Sequence, residues 1–154
     1  MKRIRLAALA AAFATGLGPA HADTVLTFGG SDALGSIFDR QNAKFTEIVN
    51  GAGAGVTVNF IQGEALGSDR EVIEQMMSDA VHLYGDELGW YANWVKDLSI
   101  LTWGFTFNDR AHIEAFLASD IFAAMNEDLV AQNIRVLAAA PVEPRVMFSK
   151  RKVE

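Results

Sequence analysis

Val56, Val58 and Phe60 alternate with Thr57, Asn59 and Ile61, a period-two pattern rich in β-branched and aromatic residues. That pattern predicts a strand over Val56–Ile61. Thr24 to Phe28 predicts an earlier strand, closed by Gly29-Gly30-Ser31-Asp32. From Ser36 to Val49 the period lengthens to that of an amphipathic helix, with Ile37, Phe38, Phe45, Ile48 and Val49 on its apolar side. The glycine-rich stretch Asn50–Gly55 stops it. Ser68 and Glu71 are spaced as a capping box, in which hydroxyl and carboxylate each satisfy an orphan backbone N–H. The helix they open places Val72, Ile73, Met76 and Met77 on one face, and Ala80–Tyr84 follows as a short buried strand. Two strands joined through a helix make a parallel, right-handed crossover. Ligands of open α/β sheets sit outside the carboxyl ends of the strands, so the loops after Ile61 and Tyr84 are expected beside any pocket.

The second half is less regular. Leu98–Phe107 is apolar and predicts a buried strand and bend. Asn108 or Asp109 caps a helix reaching Ala118, with Ile113, Phe116 and Leu117 inward. Asp120 caps another to about Gln132, with Ile121, Phe122, Met125 and Leu129 inward. Ile134–Ala139 predicts a further strand, Pro141–Pro144 a rigid connector, and Arg145–Ser149 an extended segment.

The amino terminus sets the expected compartment. Met1–Arg5 is a basic region, Leu6–Leu17 an apolar one rich in alanine, and Ala20-His21-Ala22 a small-x-small cleavage site. The alternative is a membrane anchor, but the apolar run falls short of the ~20 residues a spanning helix needs. Residues 1–22 are therefore expected to be a signal peptide and residues 23–154 an exported, periplasmic domain without stable membrane insertion. Loss of residues 1–22 removes three basic residues and no acidic ones, taking the formal charge from −6 to −9. An acidic chain with scattered basic residues argues against nucleic acid as a partner. With no cysteine, disulfides, thiol nucleophiles and thiolate metal sites are excluded together.

Two stretches carry candidate chemistry. Gly29-Gly30 after a strand is either a plain turn or a place where backbone approaches a ligand closely. Residues 85–94 (GDELGWYANW) bring together Asp86, Glu87, Trp90, Tyr91 and Trp94. Either the aromatics plug the edge of the core while the carboxylates are solvated, or the stretch forms a binding wall of aromatic platform and polar groups. Catalytic constellations are missing: there is no G-x-S-x-G elbow and no His-x-x-x-His pair. His82 is expected to be packed in a strand and His112 to lie on a helix surface. Asp86 and Glu87, adjacent in sequence, are expected to diverge rather than share a proton. No enzymatic role, cofactor or metal site is expected.

LGSDREVIEQMMSDAVHLY, residues 66–84, resembles a stretch of the DctP-like solute receptors of tripartite ATP-independent periplasmic (TRAP) transporters. The resemblance continues from Asp23 onward, and Pro144–Val153 (PRVMFSKRKV) is similar to the family's hinge-proximal strand. It implies an α/β, periplasmic-binding-protein-like lobe with a mostly parallel sheet flanked by helices, the second lobe missing or incomplete. Residues 23–154 would be the amino-terminal lobe of a truncated receptor. It further implies that Arg145 forks two charge-assisted hydrogen bonds onto a ligand carboxylate. Asp86 or Glu87 would be the polar cleft residue, Trp90 would lie near it, and Gly30 and Ser31 would line the same cleft. The implied partners are a small organic acid and the TRAP membrane subunits. Three positions depart from the family: Asp79 replaces a glycine before the third strand, Lys152 replaces a proline, and Trp103-Gly104 lacks one. The alternative function is a truncated, non-binding exported protein or a periplasmic interaction module.

Overall fold

The computed structural model describes residues 24–142 and 148–152. Among the described residues three parallel strands form one sheet in the order β2-β1-β3: β1 Thr24–Gly29, β2 Val56–Ile61 and β3 Leu83–Tyr84. β1 is central, pairing with β2 along its whole length and with β3 only at Phe28 and Gly29. The expected crossover from β2 to β3 exists, but it steps over β1 instead of joining neighbours.

Helices cover both faces. α1, Ile37–Gly51, is capped by Ser36, whose hydroxyl accepts the Asp39 N–H. It packs Phe45 edge-on against Phe28, and Phe28 also lies 4.9 Å from the Phe60 ring. On the other face α2, Asp69–Met77, comes so close that a Cβ on Gly29 would lie 2.7 Å from a Val72 methyl. The Ser68/Glu71 capping box is present, and Val72 and Ile73 are fully buried. The backbone N–H and the hydroxyl of Ser68 hold the Glu71 carboxyl below its ordinary range.

The apolar side expected for α1 is only partly used. Ile37, Phe45 and Ile48 are exposed, whereas Asp39 and Asn42 are buried. Polar tethering explains the difference: Asp39 accepts from Gly35 N–H and from Gln62, and Asn42 donates to the Gly85 carbonyl. α1 is thereby turned to join the loops at the carboxyl ends of all three strands.

β3 is shorter than the expected Ala80–Tyr84. α2 ends with Asp79 in the left-handed region (φ +63°), and Ala80 and Val81 N–H groups fold back onto the Gln75 carbonyl. His82 is exposed, not packed; its N–H donates to Thr27 O and its Nδ1 accepts the Thr27 N–H at 2.9 Å. A side chain thus replaces one rung of the ladder.

Beyond β3 the chain forms two 3-10 helices, Leu88–Asn93 and Lys96–Thr102, then α3, Arg110–Leu117, and α4, Asp120–Val130. The strand expected over Leu98–Phe107 is absent. Val95, Leu98 and Leu101 recur every third residue, which is one face of a 3-10 helix, and Leu98 is fully buried. Trp103 and Phe105 then point to solvent, with Phe105 at φ +63°. α3 is capped by Asp109 as expected. α4 is capped by Ser119, not Asp120, since the Ser119 hydroxyl accepts the Phe122 N–H. Phe122, Met125 and Leu129 are buried, but Ile121 is exposed on the far side of the helix.

Residues 134–139 also form no strand. Ile134 is buried against α4, and the Val136 N–H donates to the Asn126 side chain rather than to a neighbouring strand. The main core therefore lies beyond the sheet, around Ile73, Tyr91, Val95, Leu98, Phe122, Met125, Leu129 and Ile134. Among the described residues no helix is long and apolar enough to cross a membrane.

Candidate functional site

All three strands deliver their carboxyl ends to one place. β1 runs into Gly30, Ser31 and Asp32; the loop after β2 leads to the amino end of α2 and Asp69; β3 ends in Tyr84, followed by Gly85 and Asp86. The side chains converge. Ser31 Oγ lies 2.6 Å from Asp69 Oδ1 and 2.7 Å from Tyr84 Oη, and Tyr84 Oη lies 2.5 Å from Asp69 Oδ1. Asp86 Oδ2 stands 3.1 Å from Tyr84 Oη and 3.5 Å from Ser31 Oγ.

Glycines make this convergence possible. A Cβ on Gly30 would sit 3.1 Å from the Phe60 ring, and the Gly30 N–H still donates to Ile61 O, extending the β1–β2 ladder. Gly30 thus sets where Ser31 emerges. Gly85 has no room for a Cβ beside the Asn42 side chain, which donates to its carbonyl at 2.8 Å.

Electrostatically the site is crowded with carboxyl groups. Burial pushes Asp86 up to about 7, helped by the neighbouring Asp69 and Asp32. Burial also raises Asp32, with the charge of Asp69 adding to it, and Asp32 Oδ2 is buried without a hydrogen-bond partner. Burial would raise Asp69 too, but hydrogen bonds from Ser31 and Tyr84 outweigh it and leave Asp69 below its ordinary value. Burial and then the Asp69 contact hold the Tyr84 hydroxyl well above its usual range, so it remains a donor. Chemically, the cluster can accept from hydroxyl or N–H groups and donate through Tyr84 and any protonated carboxyl. Among the described residues no group of three or more His, Cys, Asp or Glu side chains is arranged to hold a metal ion.

Of the six expected site residues, Ser31 and Asp86 meet in this cluster. Glu87 follows Asp86 in the chain and is half-buried, its N–H donating to Asp86 Oδ1. The Asp86 carboxyl shares the hydroxyls of Ser31 and Tyr84 with Asp69. Trp90 is 44 % exposed, one turn further along the first 3-10 helix, while its neighbour Tyr91 is buried in the core. Within residues 85–94 Tyr91 therefore joins the core, while Asp86 joins the strand-end cluster. Arg145 lies outside the described residues.

Asp69 and Tyr84 belong to the cluster, and the sequence does not single them out. By its pattern Asp69 is an ordinary first-turn acid of a capped helix, and Tyr84 the last residue of a buried strand. The rule that ligands gather at strand carboxyl ends points at both loops without choosing side chains. Two surface hollows, of about 340 and 280 Å3, lie elsewhere, beside α3 and α4. Their linings are partly aliphatic and lack a converging polar set, so the strand-end cluster is the stronger candidate.

Residues 33–154 match the DctP family, described as bacterial extracellular solute-binding protein, family 7. Uncharacterized protein y4mM of Sinorhizobium fredii is 33% identical over 117 residues, which is 75% of this chain and 22% of that protein. A TRAP periplasmic solute-binding protein from Bordetella bronchiseptica, its density assigned to pantoate, superposes with a TM-score of 0.65 at 27% identity. The match covers 75% of this chain and 38% of that one. One from Polaromonas sp. JS666, bound to D-erythronate, gives 0.61 at 22% identity, covering 71% of this chain and 36% of that one. The chain thus spans about a fifth of the curated relative and somewhat over a third of these solved structures. The three-stranded parallel sheet with flanking helices matches part of a periplasmic-binding-protein lobe.

Proposed function

The chain belongs to bacterial extracellular solute-binding protein family 7, and from that premise we propose that it serves as a solute receptor of a TRAP-type transporter. It binds a small organic acid and passes it to the membrane permease. The observation that carries this is the convergence of Ser31, Asp69, Tyr84 and Asp86 at the carboxyl ends of three parallel strands, where α/β folds hold their ligands. In this proposal the cluster meets the ligand's hydroxyl groups, Glu87 and Trp90 extend the wall, and Arg145 grips the carboxylate. Residues 1–22 direct export, and residues 23–154 work in the periplasm as an amino-terminal receptor lobe. The family and fold are those of transport receptors, not enzymes. The organic acids named for the two solved relatives favour hydroxy acids as the first ligands to test.

Thermal unfolding of the purified chain against pantoate, D-erythronate and a panel of other hydroxy and sugar acids tests this. A ligand that binds only the folded state, present at 100 times its Kd, stabilises it by about 2.7 kcal/mol. The expected result is a raised midpoint for at least one acid, lost in Arg145→Ala. No shift with any acid would instead favour the second reading, an exported module that binds no solute. That alternative draws on the exposed apolar side chains Val25, Ile37, Phe45 and Ile48.

A further inference from the structure

The strand-end cluster has more contacts than its hydroxyl groups can supply with hydrogens. Ser31 Oγ, Tyr84 Oη and Asp69 Oδ1 lie 2.5 to 2.7 Å apart as a triangle, and Asp86 Oδ2 adds a fourth contact at 3.1 Å from Tyr84. Each such oxygen pair is attractive only with a hydrogen between them. Ser31 and Tyr84 bring one each. Both carboxyls converge on the same two hydroxyls, Asp69 Oδ1 and Asp86 Oδ2 each lying against Tyr84 Oη and Ser31 Oγ. Two ionised carboxylates, acceptors only, cannot supply the missing hydrogen; one of the pair must carry it.

The surroundings favour keeping that hydrogen. Asp32 faces the pair from the loop after β1, Asp39 acts on Asp32 from α1, Glu87 follows in the chain, and Tyr91 faces Asp86 from the first 3-10 helix. All are acidic or neutral. A second negative charge on the pair would be repelled from each acidic side.

We propose that Asp69 and Asp86 share one proton at neutral pH, and that this proton latches the β1 loop, the amino end of α2 and the end of β3 together. Its departure to solvent leaves two carboxylates crowded around the same two hydroxyls, so the three loops separate as pH rises. The latch stands on the cluster's geometry. Its bearing on ligands rests on the acid-receptor proposal: a wall that keeps its proton admits an anion, and a wall that loses it repels one.

The test needs no ligand. The chain, labelled with carbon-13 at the aspartate carboxyls, is titrated by NMR from about pH 4 to about pH 9. The expected result is two carboxyl signals that both respond to one proton lost near neutrality, while the Ser31 and Glu87 amides lose protection relative to their intrinsic exchange rates above it. In Asp69→Asn the Asp86 midpoint falls by about one unit or more, since the facing charge is gone. Independent titration of both carboxyls below about pH 5 overturns the proposal. The wild-type titration decides alone should the variant not fold. Failure here leaves the receptor proposal standing, because the acid panel tests that separately.

Discussion

The side-chain amide of Asn42 donates to the carbonyl of Gly85 at 2.8 Å, and nothing larger than hydrogen fits on the Gly85 α-carbon beside it. This contact fastens α1 to the end of β3 and so fixes where Asp86 begins. Gly85→Ala is expected to destabilise by about 1–3 kcal/mol through overpacking. Asn42→Ala, which strands the Gly85 carbonyl, is expected to cost about 1–3 kcal/mol. The double variant should cost less than the sum, because removing the Asn42 amide makes the room that the added methyl needs. Urea unfolding of the four proteins measures this; strict additivity would show that the two residues act separately.

Asp79 occupies the left-handed region at the end of α2, where the resembled family places glycine. A non-glycine residue is strained there by about 1 kcal/mol, although aspartate tolerates the region better than most. Asp79→Gly is therefore expected to raise stability by a few tenths to about 1 kcal/mol, offset in part by the looser unfolded chain. A lowered melting temperature would contradict the strain assignment.

Stability should also depend on pH through Asp86. In the unfolded chain it loses its proton near 3.8, but in the folded protein it holds the proton up to about 7. Between those values the folded state binds more protons, so stability falls as pH rises from about 4 to about 7, then levels. Asp86 is half-buried, and solvent screening reduces the effect to about 1–2 kcal/mol. Asp69, with its lowered value, acts oppositely and weakens the fold as pH falls through the acid range. Denaturation curves across pH should show the neutral decline in the wild type and its loss in Asp86→Asn.

His82 Nδ1 accepts the Thr27 N–H from an exposed position. His82→Ala removes that acceptor, and water replaces it, so the cost should be modest, about 0.5–1 kcal/mol. The sharper readout is hydrogen exchange: the Thr27 amide should lose protection while the amides between β1 and β2 keep theirs.

Legibility follows periodicity. β1, α1, β2 and α2 are readable because their patterns are strong and their caps, Ser36 and Ser68, are polar residues at the right offset. The segment after Trp94 is not. An apolar run of ten residues suits a buried strand equally well, and only the three-residue spacing of Val95, Leu98 and Leu101 betrays a 3-10 helix. The buried polar face of α1 is hidden for a different reason. Asp39 and Asn42 carry no local signal of burial, since their partners, Gln62 and Gly85, are brought beside them only by the sheet. Asp69 and Tyr84 escape notice likewise, since their meeting is a product of strand order and leaves no local mark. The family resemblance names Ser31 and Asp86, but not Asp69 and Tyr84, which complete the cluster.

β1 comes first of the three strands along the chain and lies in the middle of the sheet. Whatever delivers the chain from its amino end, ribosome or export channel, releases β1 before either neighbour exists. Leu26 and Phe28 then wait unpaired; β2 docks after one loop closure, and Leu83 reaches Phe28 only at the far end of a much longer one. The contact of Ser31 with Tyr84 belongs to that last step. Assembly and site formation are thus one event: a chain interrupted before β3 can hold a helix on a two-stranded ribbon, yet has no strand-end cluster to offer a ligand.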